Sequence, residues 1–107
     1  MAVVESDDVF VMLEVGLPPV WYFPRTDIRM DLLTRTATAT HCPFKGDAGY
    51  WTLSTPAGVR MDAAWSYEAP FDEMARIAGR TAFYWDALDQ WFEGGVPRPD
   101  SPSLPTA

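Results

Sequence analysis

One cysteine, one histidine and one lysine are all that the sequence holds of those three residue types. A lone cysteine excludes a disulfide framework. One cysteine plus one histidine falls short of the roughly three or four protein ligands that zinc takes. Bases are scarce as well: eight against fifteen acids give a net charge of −7. Neutralising phosphates needs a basic face, so a non-specific nucleic-acid binder is excluded. No apolar run approaches the ~18 residues that cross a bilayer, and no basic stretch precedes an apolar one at the N-terminus. A cytoplasmic protein with no membrane partner is expected. Aromatic residues, by contrast, are plentiful: 14% of the chain, five of them tryptophan. With 48% hydrophobic residues in 107, the composition is that of one folded domain.

Prolines and glycines divide that domain into short pieces. Val9-Phe10-Val11-Met12-Leu13 is an apolar run of strand length, stopped by Pro18-Pro19. Val20-Trp21-Tyr22-Phe23, rich in β-formers, ends at Pro24. Gly49–Ser54, Val59–Met61 and Ala63–Tyr67 are further strand candidates, with a turn at Pro56 and Gly58. Thr81–Tyr84 and Asp89–Phe92 read as the two arms of a hairpin around residues 85–88, with a helix bearing Trp85, Leu88 and Trp91-Phe92 as the alternative. A single short helix is expected near 71–79. Pro70 precedes it, Asp72 and Glu73 sit in its first turn, and Gly79 marks its stop. The expected fold is therefore mainly β (α+β): a compact antiparallel β-sheet or barrel-like domain over residues 1–93. Four of the ten prolines follow Gly94-Gly95, so 94–107 reads as a flexible Pro-rich tail.

Several stretches carry a family resemblance. They include Pro24-Arg25-Thr26-Asp27-Ile28-Arg29-Met30-Asp31 and Thr40-His41-Cys42-Pro43-Phe44-Lys45-Gly46. Tyr50-Trp51, Ala64-Trp65-Ser66-Tyr67, Ile77-Ala78-Gly79 and Ala82-Phe83-Tyr84-Trp85-Asp86 follow in order. Over roughly residues 3–93 the chain resembles the bacterial and fungal domain of unknown function 427. The resemblance implies a small antiparallel β domain and no settled activity. A nucleotidyltransferase-like label attached to that family finds no support here. That chemistry needs paired carboxylates for Mg²⁺ and a phosphate-cradling glycine loop, and neither pattern is present. Relatives begin with a strand that this chain lacks, which would leave an open sheet edge. A homodimer is the expected remedy.

Charge points to where chemistry could sit. Residues 25–60 hold five bases and three acids, while the rest holds three bases and twelve acids. Arg25 and Arg29 could offer planar donor forks to a carboxylate, or could be tied up by Asp27 and Asp31. Lys45, in a turn beside aromatics, could serve as base, Schiff-base former or oxyanion partner, or could be an ordinary surface lysine. Strand alternation sends His41 and Cys42 to opposite faces, so Cys42 reads as a small buried hydrophobe. The same alternation separates Tyr50 from Trp51 and puts Trp65 and Tyr67 on one face.

The expected function is a small-molecule-binding domain. Arg25, Arg29, Trp51, Trp65 and Tyr84 would bind a ligand bearing an anionic or carbonyl group. If the site is catalytic, Lys45, Tyr50 and Tyr67 would carry cofactor-free proton transfer, cyclisation or elimination. The idea requires the cations to gather against indole and phenol rings, and it expects Lys45→Ala to spare the melting temperature. The alternative is a non-catalytic protein-interaction or oligomerisation module.

Overall fold

The structure, a computed structural model, describes residues 2–88 and 91–98. β-Branched and aromatic runs set out its strands: β1 (Phe10–Met12), β2 (Val20–Phe23), β3 (Leu33–Cys42), β4 (Gly46–Thr55), β5 (Gly58–Ser66) and β6 (Thr81–Phe83). They form one antiparallel sheet in the order β1-β2-β6-β5-β4-β3. The fold is mainly β, as expected, but the sheet is open at β1 and β3 and does not close into a barrel.

Period-two alternation gives each face its own apolar layer. The register aligns Phe23, Thr81, Ser66 and Gly49 in one row across the sheet. Trp51, Leu53, Leu33, Ala64 and Phe83 continue on that same first face. Its core of Phe23, Ile28, Leu33, Leu53, Phe83 and Trp91 is covered partly by the N-terminal segment. The second face carries the row Phe10, Tyr22, Ala82, Trp65 and Tyr50. Tyr22, Ala48, Tyr67, Ile77 and Ala82 form its buried core.

Three local expectations need correction. Residues 72–77 form 3₁₀ turns broken at Met74 (φ −112°, ψ 20°), not an α-helix. Tertiary ties pin both ends, since Phe71 N–H donates to Lys45 O (2.9 Å) and Gly79 N–H to Tyr67 O (3.0 Å). Only Ile77 of that stretch is buried, so too little apolar surface is gained to hold a regular helix. Second, the arms expected to form a hairpin across 81–92 do not pair with each other. β6 inserts between β2 and β5, and β7 (Trp91–Glu93) pairs with β8 (Val96–Arg98) instead. Positive φ at Gly94 (58°) and Gly95 (80°) makes that tight turn. Third, regular pairing consequently runs to Arg98, past the expected boundary at 93. The remainder of the expected tail, 99–107, lies outside the described residues.

β3 was invisible in the sequence. Leu33-Thr34-Arg35-Thr36-Ala37-Thr38-Ala39-Thr40 has no apolar side, because its residues from Thr34 to His41 are mostly exposed along a sheet edge. Thr36 and Thr38 both donate to the Asp62 carboxylate, each at 2.7 Å. These bonds hold the ladder where it slips register between Arg35 and Ala39. They also keep the Asp62 carboxyl below its usual range.

Candidate functional site

The expected site residues fall on two faces of the sheet. Lys45, Tyr50, Tyr67, Trp65 and Tyr84 gather on the second face. Lys45 is buried, with 6% of its surface exposed, and its ammonium is clasped by Glu14 from the β1–β2 connection. It also lies 4.0 Å from the Cys42 sulfur. Burial alone would lower its proton affinity, but the hydrogen bond and charge of Glu14 outweigh it, and the net shift is upward. A base or Schiff-base former needs the opposite shift. Lys45 is thus a charge locked to its own carboxylate.

All four tyrosines of the chain occupy this face. Tyr84 packs against Trp65 with ring centroids 4.6 Å apart, and Trp65 meets Tyr22 edge-on at 6.5 Å. The Tyr50 hydroxyl is 3.0 Å from Thr40 Oγ1. Burial pushes the Tyr22 and Tyr67 phenols up to about 12, and burial with Tyr50 alongside raises Tyr84. Phenols so shifted stay protonated at neutral pH, which suits donors and opposes proton shuttling at Tyr67.

Arg25 and Trp51 sit on the first face, separated from Lys45 by the sheet. Arg25 bonds Glu68 and Ser66 Oγ, the latter at 3.2 Å. Trp51 Nε1 donates to the same Ser66 oxygen at 3.0 Å. Arg35, which the sequence reading did not single out, joins them 3.4 Å from Glu68. Both guanidinium carbons lie over the Trp51 ring, at 5.1 and 5.3 Å. The opposing pulls on Glu68 are burial upward and the Arg25, Ser66 and Arg35 contacts downward; the net shift is down. Arg29 is elsewhere, exposed and bidentate to Asp31 at 2.9 and 2.7 Å. Lys45, Arg25 and Arg29 do not gather as expected from the sequence, each being held by its own acid; the cations that do meet against an indole are Arg25 and Arg35 at Trp51. Arg29 pairs with an acid two residues away, whereas Lys45 and Arg25 take acids 31 and 43 residues away that the fold brings to them.

Cys42 and His41 diverge as alternation requires. The thiol packs in the second-face layer, and His41 Nδ1 turns outward to Asp47 at 2.7 Å. Among the described residues no three of His, Cys, Asp and Glu converge.

A concavity on the first face is lined by none of the site residues placed above. It is a cleft of about 1160 Å³ between the N-terminal segment, the β4–β5 turn and the 87–95 stretch. Val4, Trp21, Phe23, Leu53 and Trp91 form its apolar wall, and Arg60 lies at its border. Trp21, Trp85 and Trp91 brace one another, with centroids 3.7 to 6.3 Å apart. The indole N–H of Trp21 is buried without an acceptor among the described residues. Sequence reasoning assigned these aromatics to the core. No local signal marks a core aromatic that also walls a cleft, because the cleft is made by segments distant in sequence.

The described residues form an open antiparallel sheet with an aromatic layer on each face and a cleft walled by tryptophans: a small, mainly β domain. The chain belongs to the family described as a domain of unknown function, DUF427, whose model matches residues 1–94. The matched span contains both layers and nearly all of the cleft wall. A search of the curated proteins found no match. No helix among the described residues is long and apolar enough to cross a membrane.

Proposed function

We propose that this chain is a cytoplasmic small-molecule-binding domain whose ligand occupies the Trp21–Phe23–Trp91 cleft. The carrying observation is the cleft itself: about 1160 Å³, somewhat above the ~300–1,000 Å³ of ordinary ligand sites, with an aromatic wall. A flat, apolar ligand body stacks on the indoles. Its anionic or carbonyl end lies toward Arg60, a planar donor. The unpaired Trp21 N–H adds a donor that burial leaves unsatisfied at a cost of about 1–3 kcal/mol, which a ligand acceptor would relieve as the wall adjusts.

Thermal shift and tryptophan fluorescence against a panel of aryl carboxylates and aryl ketones test this. Carboxylates are expected to raise the melting temperature and quench fluorescence. Val4→Trp, which fills the cleft, should abolish both effects. Arg60→Gln should weaken carboxylates about tenfold while leaving ketones nearly unchanged. Ligands that bind the Val4→Trp protein as tightly as the parent overturn the reading.

A second reading, a homodimer, is favoured by the β3 edge. Its ten residues have no strand on the outer side among the described residues, and no proline or lysine interrupts them. Pairing two β3 edges would predict that Ala37→Pro yields a monomer.

A further inference from the structure

Ser66 sits at the centre of a donor cluster on the first face. It is fully buried, and its hydroxyl oxygen accepts from Arg25 Nη2 at 3.2 Å and from Trp51 Nε1 at 3.0 Å. A hydroxyl has two lone pairs and one proton. With both lone pairs taken, the proton is left to point at Glu68 Oε1, 3.0 Å away. Arg25 Nη2 and Arg35 Nη1 donate to that same oxygen. Three donors therefore converge on one point, and all three meet a single oxygen of the Glu68 carboxylate.

Charge at this point is out of balance. Two guanidiniums lie over the Trp51 ring and share one carboxylate, which leaves one positive charge in excess. Like charges held together repel, so the pair needs a fixed support. The indole supplies it, and the absence of a side chain at Gly49 leaves room for Arg35 against the sheet. The donors are also under-used. Arg25 Nε is buried without an acceptor among the described residues, and Glu68 meets Arg25 through one oxygen where a guanidinium fork matches two.

Glu68 has the properties of a stand-in for a ligand oxyanion. It follows β5, outside the paired strands, and its side chain is 40% exposed. The Arg25 and Arg35 side chains are 34% and 47% exposed, so the point opens to solvent when the carboxylate swings out. Exchanging one monoanion for another leaves the charge balance as it was. A dianion changes it. The two guanidiniums alone carry two positive charges, which a phosphate monoester matches while offering three oxygens to the three donors. We propose that Arg25, Arg35 and Ser66 form a binding site for the dianionic phosphate of a small monoester, and that Glu68 fills this site in the absence of ligand. None of these residues lines the Trp21–Phe23–Trp91 cleft, so the site is independent of the function proposed above.

Calorimetric titration of the full chain in phosphate-free buffer at about pH 8 tests it; a monoester carries close to two charges there, its second pKa being near ~6. The probe is methyl phosphate, and dimethyl phosphate, a monoanion, is its control. Glu68→Gln removes the competing charge and is expected to tighten methyl phosphate at least tenfold, a gain that a damaged fold would not produce. In that background, Arg35→Gln and Arg25→Gln are each expected to weaken binding at least tenfold. Dimethyl phosphate should bind at least tenfold more weakly than methyl phosphate. Val4→Trp, which fills the cleft, should leave the affinity for methyl phosphate unchanged. The proposal is overturned if Glu68→Gln binds methyl phosphate no more tightly than the parent, or if either arginine variant binds as the Glu68→Gln protein does. It is equally overturned if the diester matches the monoester, or if Val4→Trp abolishes binding, which would put the anion in the cleft.

Discussion

Arg35 lays its guanidinium over the bare Cα of Gly49, one strand away. A Cβ on Gly49 would fall inside the van der Waals envelope of that group. The glycine is therefore what lets Arg35 lie flat, within reach of Trp51 and Glu68. Gly49 has no positive φ to protect, so close approach, not backbone freedom, explains it.

Gly49→Ala should accordingly cost about 1 kcal/mol in chemical denaturation. It displaces a half-exposed ion pair and a cation–π contact, each worth under about 1 kcal/mol at such exposure. In an Arg35→Ala background the same substitution should be neutral or slightly stabilising, because alanine restricts the unfolded chain more than glycine does. An equal loss in both backgrounds would show that Arg35 is not the obstacle.

Glu68 sets an acid limit on stability. Its folded carboxyl sits below the ordinary 4.5, since the Arg25, Ser66 and Arg35 contacts outweigh the upward push of burial. A group lowered on folding contributes stability that is present above its unfolded value and is lost as pH falls through the folded one. Melting temperature should therefore drop as the pH goes below about 4.5. Glu68→Gln should flatten that part of the curve while lowering the plateau near neutrality. An unchanged acid slope in the variant would remove Glu68 from the account.

Three groups on the second face set the alkaline limit. Burial raises Tyr22 and Tyr67 from 10.0 to about 12. The unfolded chain releases these protons first, so stability falls as pH rises from about 10 to 12, by up to ~1.4 kcal/mol per unit for each phenol. Lys45, raised above 10.5 by Glu14 against the pull of burial, keeps its contribution below that value and loses it above. Phenolate absorbance should show the Tyr22, Tyr67 and Tyr84 phenols titrating above the ordinary 10.0. Lys45→Met should lower stability by about 1–3 kcal/mol at neutral pH by stranding Glu14. This replaces the sequence-based expectation of an unchanged melting temperature, and a melting temperature equal to the parent's would reinstate it.

How far the sequence reached can be judged residue by residue. Val20–Phe23, held between prolines, is a strand because β-branched and aromatic side chains fit a pleated surface and Pro18, Pro19 and Pro24 cannot extend it. Alternation put Tyr50 opposite Trp51, and Trp65 on the side of Tyr67, as the two layers show. β3 escaped because an exposed edge strand needs no apolar period. The 3₁₀ turns at 72–77 escaped because ties from Phe71 to Lys45 and from Gly79 to Tyr67, which span 26 and 12 residues, outrank local helix signals.

Local sequence thus determined which segments extend, where they stop and which neighbours part to opposite faces, because dihedral preference and side-chain period are properties of adjacent residues. Only the tertiary structure decided that Lys45 answers to Glu14 and Arg25 to Glu68, and that a cleft of about 1160 Å³ opens among tryptophans. Charge pairing and concavity arise from segments brought together across the sheet, and desolvation favours whichever acid folding delivers nearest to each cation.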